Sequence, residues 1–175
     1  MIAPEWRRIC GFHVEQNGDM AAVWLAHDKD ADCVHLYDAC QFRDVVFAVV
    51  AEGLNARGRF IPISWRKEDK DVVDELRERG CKVMTDGIQS SDAMVEVVSR
   101  EMVERQQTGR FKTDVRLKNW IDEFKTFYRE DAKVPQEGYP LMSATRHAIT
   151  NLKRAKAQSR DKINRKDKFR RVAMI

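Results

Sequence analysis

Three apolar bursts separated by short polar turns occupy the first forty positions of the chain. Arg8 to Val14 reads as a strand, and Asn17-Gly18-Asp19 after it is a turn signal, because Asn-Gly readily supplies the positive φ of a tight hairpin. Met20 to Ala26 is nearly continuous in apolar residues, the pattern of a strand buried on both faces. The polar stretch His27 to Asp32 then turns the chain into a third strand, Cys33 to Ala39. Strands joined by turns this short pair as antiparallel neighbours, so the spacing predicts a three-stranded meander.

After Arg43 the apolar period lengthens. Val45, Val46, Val49, Val50 and Leu54 recur at helical spacing, and Gly58 follows as a stop signal. Phe60 to Trp65 reads as a strand, Asp71 to Arg79 as a helix closed by Gly80, and Cys81 to Met84 as a further short strand. Alternation of strand and helix builds parallel pairing through right-handed crossovers. Ser91 to Gln107 is a long helix with a serine N-cap, and Arg110 to Thr113 suits a short edge strand. Leu117, Trp120, Ile121, Phe124, Phe127 and Tyr128 form an aromatic stripe of helical period, expected in the core. Val134 to Pro140 is a loop, and the last helix runs from Leu141 to about Ala157. The predicted class is α/β: a mixed five-stranded sheet, three antiparallel strands then two parallel, flanked by helices over residues 1–157, with a basic tail at 158–175.

Composition narrows the picture. A chain of 175 residues with 43% hydrophobic and 34% charged residues fits one globular domain with a heavily charged surface. No apolar run approaches the ~20 residues of a membrane span, and the first ten residues lack the apolar core of a signal peptide. The four cysteines are scattered without a Cys-x-x-Cys pair, which predicts buried free thiols rather than a zinc site. No Gly-x-x-x-x-Gly-Lys-Ser/Thr loop is present, so the ATP chemistry of such loops is not expected. The net charge of +4 conceals an asymmetry: Lys153 to Arg171 holds ten basic residues against two aspartates, leaving the remainder about four charges negative. Lys153, Arg154, Lys156, Arg160, Lys162, Arg165, Lys166, Lys168, Arg170 and Arg171 are therefore candidate phosphate contacts for a polyanion such as DNA, with a merely solvated end as the alternative.

Several blocks of residues point further. Pro4-Glu5-Trp6-Arg7-Arg8, Gly11 within the first strand, and Ala21 to Asp28 occur in one order with Tyr37-Asp38-Ala39, Gln107 to Lys112 and Leu141 to Ala148. In these blocks, and in strand order, the chain resembles the C-terminal, ribonuclease-H-like nuclease domain of phage terminase large subunits. That resemblance implies cleavage of double-stranded DNA by a pair of magnesium or manganese ions. It also implies packaging partners (other terminase subunits, the portal) and work in the cytoplasm of an infected or lysogenic bacterial host. Magnesium and manganese favour carboxylate oxygens, which the family supplies from the first strand, the end of the fourth strand and the start of the last helix.

At those places the chain departs from the family pattern. His13 stands where the first aspartate is expected, Tyr139 where the helix aspartate is expected, and Ser143 replaces a second common acid. Near the end of the fourth strand, Glu68 or Asp69 keeps an acid, beside the unfavourable Arg66 and Lys67. Glu15, on the same strand face as His13, offers a relocated ligand with Asp69, and Glu137 offers another. Two functions follow as expectations: a nuclease with a weakened or relocated metal site, or a non-cleaving homologue that binds DNA or a packaging partner.

Overall fold

A computed structural model describes residues 2–127 and 133–158. Its sheet is built from β1 (Arg7–Val14), β2 (Met20–Asp28), β3 (Cys33–Phe42), β4 (Ile63–Ser64) and β5 (Phe111–Thr113), in the order β4-β1-β2-β3-β5. The meander is as predicted, β1 antiparallel to β2 and β2 antiparallel to β3. The two parallel strands add on opposite sides of it, β4 beside β1 and β5 beside β3. Cys81 to Met84 does not supply the fifth strand; it makes one bridge, Ile63 to Val83, because the turn at Gly80 leaves it too short to extend the ladder. The expected edge segment at Arg110 to Thr113 takes that place.

Five helices accompany the sheet: α1 (Phe47–Ala56), α2 (Lys70–Glu78), α3 (Asp92–Gln107), α4 (Lys118–Thr126) and α5 (Pro140–Thr150). Two begin or end differently from the apolar spacing. Asp44 adopts a φ of +50°, which delays α1, so Val45 and Val46 precede it exposed while Val50 and Leu54 enter the core. The last helix stops at Thr150 rather than near Ala157, and a short 3-10 turn (Leu152–Arg154) leads to Lys156. There the backbone leaves helical geometry to exchange two hydrogen bonds with Arg8 of β1 (Arg8 N–H to Lys156 O 2.8 Å, Lys156 N–H to Arg8 O 3.0 Å). Trp120 is buried, and Ile121, Phe124 and Phe127 pack partly buried against the core. Tyr128, and the tail beyond Gln158, lie outside the described residues.

The central helix α5 is buried along nearly its whole length and crosses β1 and β2 at backbone distance. Gly11 makes that approach possible. A Cβ at this position would overlap the Ala144 carbonyl and come within 2.9 Å of the Ala148 nitrogen, both backbone atoms with nowhere to move. Small Ala144 and Ala148 complete the contact from the helix side.

Gly11→Ala is therefore expected to separate β1 from α5 at a cost of about 3 kcal/mol or more. Gly18→Ala, in an open turn at φ +89°, carries only the backbone strain of about 1 kcal/mol. Urea denaturation of both variants checks the ranking, and equal midpoints would contradict the close-approach account.

Candidate functional site

Residues two apart on a strand share a face, so the close contact at Gly11 also turns His13 toward α5. His13 is 1% exposed, and its Nδ1 lies 3.2 Å from Nε2 of His147, itself buried on α5. One ring must donate to the other, so at least one nitrogen of the pair carries a proton and the other is a neutral acceptor. Burial, and then nearby positive charge from Arg146 and Arg66 among others, hold His147 well below the usual imidazole range, which favours its neutral form.

Past the end of β1 the two carboxylates Glu15 and Glu137 come together. One Glu15 oxygen lies 3.5 Å from His13 Nε2, and the other accepts from the Gly138 backbone at 3.2 Å. Burial would raise Glu15, but hydrogen bonds from His13, Glu137 and Gly138 outweigh it and keep the carboxyl well below its ordinary value. Glu137 moves the opposite way, raised by burial and by the adjacent Glu15 charge. The two carboxyls are thus driven apart in affinity for a proton, Glu15 downward and Glu137 upward. One potential ligand atom from each of His13, Glu15 and Glu137 falls within 4.8 Å of the other two.

Arg66 lies against this cluster. Its Nε donates to Asp69 at 2.9 Å, Nη1 to Glu137 at 3.3 Å, and Nη2 to the Val14 carbonyl at 2.6 Å. Asp69 is 6% exposed and is raised by its burial, against which Arg66 supplies the opposing charge. A guanidinium thus stands between carboxylates from two parts of the chain, fully charged at any relevant pH.

Of the positions singled out in the sequence, the structure gathers His13, Glu15, Glu137 and Asp69 around Arg66. Glu68 is exposed on the short 3-10 turn Lys67–Asp69. Tyr139 turns aside: its ring meets Phe127 edge-on at 5.1 Å and its hydroxyl donates to the Thr126 carbonyl. Ser143 donates to Gln136 O and accepts from Arg146. Three participants were not assigned in the sequence: His147, Arg146 and Glu123. A signal existed for the first two, since Ser143, Arg146, His147 and Thr150 form a polar stripe at helical spacing on an otherwise apolar helix. Glu123 accepts from the Met142 N–H at the start of α5, and burial pushes its carboxyl up to about 7.

Comparison with solved structures places the fold. The P22 large terminase nuclease domain superimposes with a TM-score of 0.81 at 18% identity, covering 90% of this chain and 87% of that one. The large terminase nuclease domain of bacteriophage SPP1, solved with bound manganese, gives 0.67 at 18% identity over 83% of this chain and 86% of that one. The large terminase nuclease of thermophilic phage G20c with bound cobalt gives 0.63 at 14% identity over 85% and 83%. The same G20c nuclease recurs with zinc and with magnesium. No family model and no curated protein matches the sequence.

Two substitutions test the electrostatics. Arg66→Met strands Asp69 and Glu137, and is expected to cost about 3–5 kcal/mol at neutral pH. Asp69 already binds its proton more tightly folded than unfolded, and more so without the guanidinium. The deficit should therefore shrink as pH falls toward the ordinary carboxylate pKa, measured as wild-type and variant urea midpoints at acidic and alkaline pH. For Glu123, a folded pKa near 7 means that stability is lost as pH rises from the ordinary carboxylate value through 7. Glu123→Gln keeps the acceptor at α5 without the charge, so its stability relative to wild type should grow on going from acid to alkaline pH. A constant difference across that range contradicts the assignment.

Proposed function

We propose that this chain, a ribonuclease-H-like domain with the fold of the large-terminase nucleases, binds double-stranded DNA and does not cleave it with magnesium or manganese. The observation that carries this reading is the Arg66 guanidinium held by Asp69, Glu137 and the Val14 carbonyl. A divalent ion in this fold serves to concentrate positive charge among carboxylates, and here a covalently attached cation already neutralises two of them. A second cation beside it meets repulsion rather than vacant negative charge.

The remaining donors fit a hard ion no better. His13 offers a nitrogen whose ring is tied to His147, and Ser143 and Tyr139 bring no charge to the start of α5. Glu15 and Glu137 lie close enough that the Glu15 charge raises Glu137, and Arg66 already pairs with Glu137. Four monodentate oxygen acids at the family positions would suit magnesium; a histidine pair and an arginine do not.

DNA affinity on this reading comes from phosphate contacts. Lys153, Arg154 and Lys156 are exposed at the end of the folded body. Arg160, Lys162, Arg165, Lys166, Lys168, Arg170 and Arg171 follow in the sequence, outside the described residues. A DNA-bound partner in a packaging assembly is the natural setting for a domain that keeps the fold without the ions.

A second reading, residual cleavage at a relocated centre, is favoured by one feature. His13 Nε2 and one Glu15 oxygen, both buried, lie 3.5 Å apart, and Glu137 brings a third potential ligand atom within 4.8 Å of the two side chains.

One experiment separates the two. The full chain is mixed with supercoiled plasmid and with a short duplex, in chelator and then in magnesium or manganese. The expected result is duplex binding in chelator that weakens linearly on a log–log salt plot, with about 0.9 in slope for each phosphate contacted. Truncation after Gln158 should flatten that slope, and no nicking should appear. Manganese-dependent nicking abolished by Glu15→Ala would overturn the proposal in favour of the relocated centre.

A further inference from the structure

Between α3, α5 and the segment Ile88–Ser90 lies a cavity of about 20 Å³, room for one water-sized group. Its polar lining is cationic or neutral: Arg66, Arg146, His13, His147, Gln136 and Ser143 contribute, and no carboxylate is among its lining residues. Arg146 is 5% exposed. Its Nη2 donates to the Pro135 carbonyl at 3.2 Å and to Ser143 Oγ at 2.8 Å, and its guanidinium stacks 5.7 Å from the Phe127 ring centre. Its Nη1, however, is buried with no hydrogen-bond partner, and no carboxylate lies within ion-pairing distance among the described residues.

A buried guanidinium nitrogen without an acceptor is an anomaly that folding ordinarily avoids. Arg66, a few residues of space away across the same cavity, has carboxylate partners; Arg146 has neutral ones only. Burial draws Arg146 down to about 10, which still leaves it charged at neutral pH. Glu123 and Glu15 oppose that charge from a distance, but neither supplies an acceptor to Nη1. Of the cavity's lining, Gln89 is exposed and Ser90 beside it is half-buried, on its solvent side. These two side chains place an amide and a hydroxyl where the outer atoms of a ligand would rest.

We infer that this cavity is a phosphate-type anion site: one anionic oxygen enters to accept from Arg146 Nη1, and the rest of the group stays at the mouth against Gln89 and Ser90. Guanidinium prefers oxyanions with more than one acceptor, and the cavity is too small to admit a whole tetrahedral ion. A DNA backbone phosphate and free phosphate share this chemistry. That the source is DNA rests on the function proposed above; the site itself rests on the unpartnered Arg146 and the carboxylate-free lining.

The test uses the full chain and inorganic phosphate as the probe. Thermal denaturation is followed at fixed pH and ionic strength while sodium phosphate replaces sodium chloride. Wild type should show a saturable rise in Tm that chloride does not give, and Arg146→Met should lose it. Gln89→Trp, which closes the exposed mouth and leaves the arginine untouched, should lose it too and carries the test alone if Arg146→Met does not fold. No phosphate effect beyond that of chloride in wild type, or an undiminished response in both variants, overturns the site. Titrations of a short duplex then name the source. A salt slope lowered by about one in Arg146→Met identifies a backbone phosphate. An unchanged slope with the phosphate response lost in the variants identifies free phosphate and equally supports the site. Loss of all duplex binding by wild type, with its phosphate response intact, would sink the DNA-binding function and leave the site standing.

Discussion

The approach of β1 to α5 at Gly11 governs the rest of the structure. Because no side chain stands between the strand and the Ala144–Ala148 backbone, the helix lies directly on the sheet, and every residue on that face of β1 meets α5 at short range. His13, one step along the same face, is thereby brought within hydrogen-bonding distance of His147. The same contact holds α5 deep enough for Ser64 of β4 to donate to the His147 carbonyl at 2.6 Å, which fixes the helix against the parallel edge of the sheet. Packing of this kind tolerates little change in volume, so side-chain identity rather than backbone movement sets the chemistry at the end of β1.

Within that fixed frame, charge has been rearranged. A ribonuclease-H-like scaffold brings the end of β1, the end of β4 and the start of α5 together, and carboxylates at those places suit divalent ions. Here the same convergence holds imidazole against imidazole, and a guanidinium against two carboxylates. Burial and nearby cations hold His147 low, and Arg66 opposes the upward push that burial gives Asp69. Arg146 stands apart, finding only carbonyl, hydroxyl and ring partners in contact.

Much of the fold was legible in the sequence because local pattern and tertiary outcome agree in the first half of the chain. The meander follows from two polar turns, and Gly11, met as a glycine inside a strand, marks where the backbones of β1 and α5 meet. Strand pairing at the edges was less legible: Cys81–Met84 and Arg110–Thr113 are comparably short apolar runs, and only three-dimensional neighbours decide which one joins the ladder. In the candidate site, His13 and Asp69 could be named because they fall where the resemblance implies acids, Glu15 because it shares a strand face with His13, and Glu137 because it precedes Tyr139 in the loop. Arg66 was visible as an awkward neighbour of Asp69, but its reach to Glu137, 71 positions away, depends on how the Val134–Pro140 loop folds back. His147 and Arg146 were hidden for a related reason, since the polar face of a wholly buried helix points at whatever packs on it.

Arg66 also bears on how such a domain changes over generations. An aspartate restored at position 13 would enter a pocket already neutralised by the guanidinium, and would recruit Arg66 as a further ion-pair partner before it recruited a metal. Loss of Arg66 alone would strand Asp69 and Glu137. Neither step is favourable first, so the two arrangements are separated by a valley that single substitutions do not cross. A domain with Arg66 in this place is thereby held to its present pairing of charges by the cost of each single change, while the fold around it stays in place.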